Sequence, residues 1–146
     1  MKVTKKITFC AAHRLLNYDG PCQNIHGHNY TVEATVEGAA VHNDMVVDFN
    51  EVKENLVKLV HNVYDHSIMV NDADESLKTF VIIEDMKHVF LDGNATAENM
   101  ARAIFHALYQ TELSLENIRV WETDTSYADF SVENYAQWVH ITGRMS

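Results

Sequence analysis

Proline and glycine are scarce in this 146-residue chain, which contains one Pro and five Gly. No Pro/Gly-rich linker, internal repeat or low-complexity tract divides it. Apolar residues make up 47% and aromatic residues 10%, which is enough to bury a core and differs from a disordered composition. We therefore expect residues 1–146 to form a single domain.

Basic residues are also few, because 11 Lys and Arg stand against 21 Asp and Glu, giving a formal net charge of −10. A surface this acidic repels a phosphate backbone and keeps a protein soluble, so we expect no role in binding nucleic acid.

Long apolar runs are absent, and no stretch of 18 apolar residues predicts a membrane span. The start, Met1–Ile7, has no long apolar segment after its charges and does not resemble a signal peptide. The two cysteines, Cys10 and Cys22, could form one disulfide. Without an export signal, we expect reduced thiols in a cytoplasmic protein.

Alternation of apolar and polar residues predicts four strands, and it is clearest from residue 29 to 37. The others are predicted near residues 2–10, 117–123 and, with a weaker pattern, 129–139. A short strand is also predicted at Met45–Val47.

Helical periodicity predicts one helix from Asp48 to about Val63 and a second that begins near Thr96. Residues 72–92 are ambiguous: Leu77, Phe80 and Val81 suit a short helix, and His88–Leu91 suits a strand. The order of elements predicts an α+β domain, with two helices on one face of an antiparallel four-stranded sheet.

The strongest local signal for chemistry is the block Cys22–His28, which contains His26-Gly27-His28. Alternate residues of a strand point to the same side, so both imidazoles can reach one metal. His13 follows the first strand and comes near them if strands one and two form a hairpin. Three imidazoles with one open position describe a catalytic zinc, although nine His in the chain make chance pairs easy.

The role of Cys22 stays open at this level. It could be a fourth zinc ligand, a base or nucleophile beside the metal, or an inert thiol in a loop. Cys10, in an apolar strand, is predicted to be a small core residue.

Two further acidic positions allow a functional and a structural interpretation. Asp65-His66 could form part of a proton relay, or His66 could simply meet the negative end of a helix dipole. Glu122 falls on the inward side of its strand, where a carboxylate needs a partner. That partner could be the guanidine-like edge of a ligand or a salt bridge.

Six blocks, in the same order, resemble the 6-pyruvoyltetrahydropterin synthase and 6-carboxytetrahydropterin synthase superfamily. They run from about residue 5 to residue 123 and comprise Phe9–Leu15, Cys22–His28, Val47–Phe49, Tyr64–His66 with Asn71, Thr96–Asn99 and Trp121–Thr123. Two positions depart from the usual pattern, Tyr64 and Ala95.

The resemblance implies a T-fold (tunnelling fold) and a zinc ion bound by His13, His26 and His28. It implies that Cys22 accepts a proton, with Asp65 and His66 as its relay. It also implies that Glu122 binds the edge of a pterin, with Thr96 and Glu98 nearby. The same resemblance implies that the chain forms a homohexamer.

Within this family, three residues between Cys22 and His26 resemble the bacterial 6-carboxytetrahydropterin branch, which feeds 7-deazapurine (queuosine) synthesis. The implied activity is a carbon–carbon lyase acting on 7,8-dihydroneopterin triphosphate. A pyruvoyl-type synthase, or a zinc- or pterin-binding protein without turnover, is the alternative. Arg14, Lys53 and Arg119 are candidate partners for the triphosphate.

Overall fold

Six strands form one sheet in the computed structural model, which describes residues 1–144. Their order across the sheet is β4-β3-β1-β2-β5-β6. In chain order they are β1 (Lys2–His13), β2 (His26–Glu37), β3 (Ser67–Asn71), β4 (His88–Leu91), β5 (Leu115–Thr123) and β6 (Ser126–Ser131).

The long antiparallel pair β1 and β2 carries the alternation that the sequence predicts. Phe9 and Ala11 of β1, with Tyr30 and Val32 of β2, are buried on one face. Most of the helices cover this face, because their apolar residues belong to the same core cluster.

The helix Glu75–Ile83 is the exception, since its Leu77 and Val81 pack in a separate cluster with Ile68 and Val70 of β3, on the opposite face at one side of the sheet. Among residues 1–144, no helix packs in the core clusters against the opposite face of β1 and β2.

Four α-helices complete the fold of residues 1–144, and the predicted helix starts at Asp48 and Thr96 are confirmed. The carboxylate of Asp48 accepts a hydrogen bond from the Asn50 N–H, and the Thr96 hydroxyl accepts one from the Asn99 N–H. The helices are α1 (Phe49–Leu56), α2 (Glu75–Ile83), α3 (Ala97–Tyr109) and α4 (Val132–Thr142).

Helix α1 continues into a π-helix, Val57–Tyr64, so that Asp65 stands at the end of one long helical segment. A π-helix is rare and often marks a functional position. Its last residue, Tyr64, is buried, which fixes the point where the chain turns toward β3.

The α+β class is confirmed, but the sheet is larger than predicted and is not entirely antiparallel. Strands β3 and β4 extend it beyond β1, and both are paired in parallel. They have only five and four residues, too few for periodicity to reveal β3. The helix and strand suggested within residues 72–92 are present as α2 and β4.

Two predicted strands are wrong. Only the first part of 129–139 belongs to a strand, because Ser131 and Asn134 form a capping box that starts α4. Tyr135 of this helix packs against Phe105 and Tyr109 of α3. Of Met45–Val47, only Met45 makes a bridge, to His42 across a tight turn.

Among residues 1–144, no helix combines the length and apolar character needed to cross a membrane.

Candidate active site

Three imidazoles meet at the end of the β1–β2 hairpin, on the helix-covered face. His13 pairs directly with His26 in the strand register, and His28 lies two residues further along β2. The His13 and His26 Nε2 atoms are 3.1 Å apart, and one ring nitrogen from each of the three residues lies within 4.8 Å of the others. The structure therefore brings together the three residues predicted to bind zinc.

Gly27 allows the two strands to approach closely at this point. A Cβ atom added to it would lie 3.2 Å from the Ala11 carbonyl oxygen of β1. The residue between the two β2 histidines therefore needs to be small for the hairpin to keep its spacing.

Backbone carbonyls fix the protonation of two of these rings. His13 Nδ1 lies 2.6 Å from the Ala95 oxygen, and His26 Nδ1 lies 2.8 Å from the Asn24 oxygen. Each Nδ1 therefore carries the proton and donates it, which leaves an unprotonated Nε2 on each neutral ring. Two lone pairs that face each other across 3.1 Å cannot satisfy one another, and a cation between them can.

The electrostatics of His13 agree with this arrangement. Burial lowers the pKa of His13, although the Ala95 carbonyl and Glu122 act in the opposite direction. The ring is 2% exposed and is thus held in the neutral form that metals require.

His28 supplies a third nitrogen without a protein partner. Its Nε2 atom is buried and makes no hydrogen bond. A carboxylate oxygen of Glu122 lies 3.7 Å from it. An orphaned imidazole nitrogen beside two other lone pairs fits a metal ion, and the donor set of three imidazoles suits zinc.

Glu122 lies on the inward side of β5, as its alternation with Ile118 and Val120 predicts. Its side chain is 29% exposed and borders the imidazole cluster through His28. No lysine or arginine forms an ion pair with it among residues 1–144. The carboxylate is therefore available to a ligand that brings its own donors.

Tyr30 is a residue of this site that the sequence prediction missed. Its ring is fully buried beside His13 and His28, with ring centroids 6.1 and 5.5 Å apart. Burial, Glu122 and Cys22 raise the pKa of Tyr30, so the phenol stays protonated. The alternation of β2, which places Tyr30 on the face of His26 and His28, was the available signal.

Cys22 lies in a short 3-10 turn, Pro21–Gln23, between the two strands. Its carbonyl accepts a hydrogen bond from the Leu15 N–H, which anchors the turn. The three-histidine cluster does not include its thiol, although Cys22 is close enough to act electrostatically on Tyr30. Cys22 therefore lies outside the group of three imidazoles.

Asp65 and His66 lie on the other face of the sheet. Asp65 Oδ2 is 3.0 Å from His66 Nδ1, and its Oδ1 accepts a hydrogen bond from the Cys10 N–H at 3.0 Å. Both contacts hold the pKa of Asp65 below its usual range, and the hydrogen bond from the Cys10 N–H has the larger effect. The predicted acid–imidazole pair is therefore present and oriented.

His66 is held in place by its backbone as well. Its φ of 59° is in the left-handed region, and its N–H donates to the Cys10 oxygen at 2.7 Å. Such a conformation costs on the order of 1–3 kcal/mol and tends to occur at functional positions. The ring remains exposed to solvent.

The prediction that Cys10 is a core residue is wrong. Because Phe9 and Ala11 point into the core, Cys10 points to the opposite face. Its sulfur lies 3.9 Å from Asp65 Oδ1 and 4.0 Å from His66 Nε2. Within one chain, the thiol beside the Asp65-His66 pair is thus Cys10 and not Cys22.

Thr96 and Glu98 lie further from the imidazoles. They line a cavity at the start of α3 together with Arg102 and Trp138. Thr96 is linked to the cluster only through its neighbour Ala95, whose carbonyl binds His13.

Two of the three cations considered for the triphosphate are already paired. Arg14 makes two hydrogen bonds to the buried carboxylate of Asp74, and Arg119 makes two to Asp129. Charge-assisted pairs of this kind hold a guanidinium firmly, which disfavours both residues as free anion ligands.

Known proteins are similar to this chain over most of its length. Residues 2–137 match the 6-pyruvoyl tetrahydropterin synthase family. A 6-carboxy-5,6,7,8-tetrahydropterin synthase of Haemophilus influenzae is 32% identical over 137 residues, covering 88% of this chain and 97% of that protein. The protein of the same name from Rickettsia bellii is 32% identical over 138 residues, covering 88% and 99%.

Solved structures confirm the T-fold. An uncharacterized protein from Wolinella succinogenes superposes with a TM-score of 0.77 at 17% identity, covering 90% of this chain and 98% of that one. The 6-pyruvoyl tetrahydropterin synthase of Caenorhabditis elegans gives a TM-score of 0.67 at 23% identity, covering 90% and 94%. Together with the match of residues 2–137, these similarities show that the chain belongs to the 6-pyruvoyl tetrahydropterin synthase family of pterin-processing enzymes.

Proposed function

We propose that this chain is a zinc-dependent 6-carboxy-5,6,7,8-tetrahydropterin synthase. It converts 7,8-dihydroneopterin triphosphate and water to 6-carboxy-5,6,7,8-tetrahydropterin, acetaldehyde and triphosphate, as a step of 7-deazapurine (queuosine) synthesis. Relatives at 32% identity carry this name, and the spacing of Cys22 and His26 agrees with that branch.

The observation that carries the proposal is the set of three imidazole nitrogens that lack any other partner. His13 and His26 turn their unprotonated Nε2 atoms toward each other, and His28 Nε2 is buried without a hydrogen bond. When zinc is bound there, it supplies a Lewis acid for the hydroxyls of the substrate side chain.

Glu122 provides the pterin-binding group in this proposal. A carboxylate accepts two parallel hydrogen bonds from the amino group and the ring N–H of a pterin. Its position, 3.7 Å from His28, would place the pterin side chain next to the imidazole cluster. Thr96 and Glu98 stay candidate substrate contacts at a greater distance.

The protons would be moved by Cys22 together with Asp65 and His66. Within one chain, the His66 ring contacts the thiol of Cys10, and among the described residues the thiol of Cys22 is not part of the group formed by Cys10, Asp65 and His66. A relay between these groups therefore requires two subunits. A homohexamer, in which a neighbour's Asp65-His66 pair meets Cys22, satisfies this requirement and covers the open face of the sheet.

Identification of the products tests the proposal. The purified zinc protein is incubated with 7,8-dihydroneopterin triphosphate, acetaldehyde is measured, and the pterin product is identified by mass spectrometry. Equal amounts of acetaldehyde and 6-carboxy-5,6,7,8-tetrahydropterin are expected. Triphosphate release without acetaldehyde would instead identify a pyruvoyl-type synthase, and the absence of triphosphate release would identify a binding protein.

A further inference from the structure

The hydroxyl of Tyr30 is a polar group in the core that lacks a partner. The residue is 0% exposed, and its oxygen makes no hydrogen bond. Buried hydroxyls are normally paired, so each exception calls for a physical explanation. Tyr135, another buried tyrosine, follows the rule, because its hydroxyl lies 3.2 Å from His106 Nδ1.

Packing accounts for the ring of Tyr30 but not for its oxygen. The ring stacks on Phe9 with centroids 5.1 Å apart, and both belong to the main core. A phenylalanine would make the same contact and would leave no polar atom unpaired. An unpaired buried hydroxyl destabilises the folded chain, so its presence points to a partner that arrives later.

The surroundings define what that partner must offer. His28 Nε2 is also unpaired, so the two groups do not bond each other. His13 and His26 use their protons on backbone carbonyls, and the Glu122 carboxylate can only accept. The Tyr30 ring lies beside the rings of His13 and His28, so its hydroxyl offers this region an O–H donor that suits a ligand oxygen.

We propose that the Tyr30 hydroxyl donates a hydrogen bond to an oxygen of the pterin side chain and so positions that side chain beside the imidazole cluster. This inference rests on the proposed pterin chemistry. It makes Tyr30 a substrate-binding residue, selective for side chains that carry oxygen rather than for the pterin ring.

Two ligands and two variants test it. The zinc protein is titrated with 7,8-dihydroneopterin, whose side chain carries hydroxyls, and with 6-methyl-7,8-dihydropterin, which has the same ring and no hydroxyl. Both titrations are repeated with Tyr30→Phe. Tyr64→Phe is the control, because Tyr64 is a buried tyrosine of the same core cluster.

Tyr30→Phe is expected to weaken binding of dihydroneopterin about tenfold, the size of one hydrogen bond, and to leave methyldihydropterin unchanged. Its zinc content should equal that of the wild type, and its melting temperature without ligand should be equal or higher. Tyr64→Phe should change neither affinity.

Three results would overturn the inference. These are unchanged affinity of Tyr30→Phe for dihydroneopterin, an equal loss for both ligands, or a lower melting temperature with loss of zinc. The last would show that the hydroxyl is structural. If the wild-type protein binds neither pterin, the proposed function itself is wrong, and the role of Tyr30 in it is wrong too.

Discussion

The two faces of strand β1 carry two different chemical groups within four residues. His13 faces the helices and joins a buried cluster whose members all come from one chain. Cys10 faces the other way and lies with Asp65 and His66 on the opposite face of the sheet. His13 is 2% exposed, whereas the side chain of His66 is 77% exposed.

The difference between the two faces distinguishes the metal site, which one chain forms alone, from the proposed proton relay, which needs a second chain. A neutral metal site needs burial, and the core provides it for the imidazoles. In the proposed function a proton relay needs access to the substrate, and Asp65 and His66 gain it beside Cys22 of a neighbouring chain. In that proposal one chain contributes metal ligands to one active site and a relay to the next.

Loss of the metal is the largest expected effect, and it concerns the buried face. His26→Ala with His28→Ala should reduce zinc from about one per chain to nearly none and abolish turnover, because one remaining imidazole cannot hold the ion. Metal analysis of the purified protein measures this. The matched control, His42→Ala with His140→Ala, removes two exposed imidazoles and should keep the zinc.

Full zinc content in the His26/His28 double variant would show that the ion binds elsewhere. The Cys10–Asp65–His66 group on the other face would then be the first place to look, since its potential ligand atoms also lie within 4.8 Å of one another.

The next effect concerns proton transfer. Cys22→Ala should keep its zinc and its pterin binding and lose about 10²–10⁴-fold in turnover, the usual range for a general base. His66→Ala should lose a comparable factor, and the double variant should be little worse, because residues that act as a unit are not additive. If Cys22→Ala loses its metal as well, Cys22 is a ligand and the open site is wrong.

A smaller effect is expected for pterin recognition by Glu122. Glu122→Gln keeps the shape but places a donor where an acceptor is needed, so binding should weaken by about 2–3 kcal/mol. Calorimetric titration with 7,8-dihydroneopterin measures the change. Glu37→Gln, at the far end of the sheet, is the control, and an affinity of Glu122→Gln equal to that of the control would make Glu122 structural.

The smallest effect is on stability and belongs to the exposed face. The pKa of Asp65 is lower in the folded chain, so its stabilising contribution is present above the ordinary carboxyl pKa and is lost progressively as the pH falls through the lower pKa of the folded chain. Asp65→Asn should therefore cost under about 1 kcal/mol near neutral pH, as for a partly exposed pair. Denaturant unfolding at pH 7 and pH 3.5 should show the difference shrinking, and a constant difference would contradict the charge argument.

The sequence predicts the imidazole cluster because its signal is local. His26 and His28 are alternate residues of one strand, and β1 pairs with that strand through a simple hairpin, so His13 follows. The inward position of Glu122 follows from the same period of two. The long strands and the helix α3 are predictable for the same reason, since each shows several repeats of its pattern.

Other features depend on contacts that no local pattern contains. Strand β3 is five residues long and joins the sheet in parallel, so its neighbours are distant in sequence. The contact of Cys10 with His66 spans 56 residues. The start of α4 at Ser131 was not predicted. Aromatic residues of this helix also suit a strand, and their packing against α3 favours the helix.

The most direct test of the relation between the two faces is to mix inactive subunits. Cys22→Ala and His66→Ala chains are unfolded, combined in equal amounts and refolded, with native mass spectrometry to confirm mixed oligomers. If Cys22 meets His66 of a neighbour, random assortment should leave about a quarter of the sites intact, and turnover should recover to that fraction of the wild-type value. Mixing Cys22→Ala with the double variant should restore nothing. No recovery in confirmed mixed oligomers would contradict the account and place both groups of the active site in one chain.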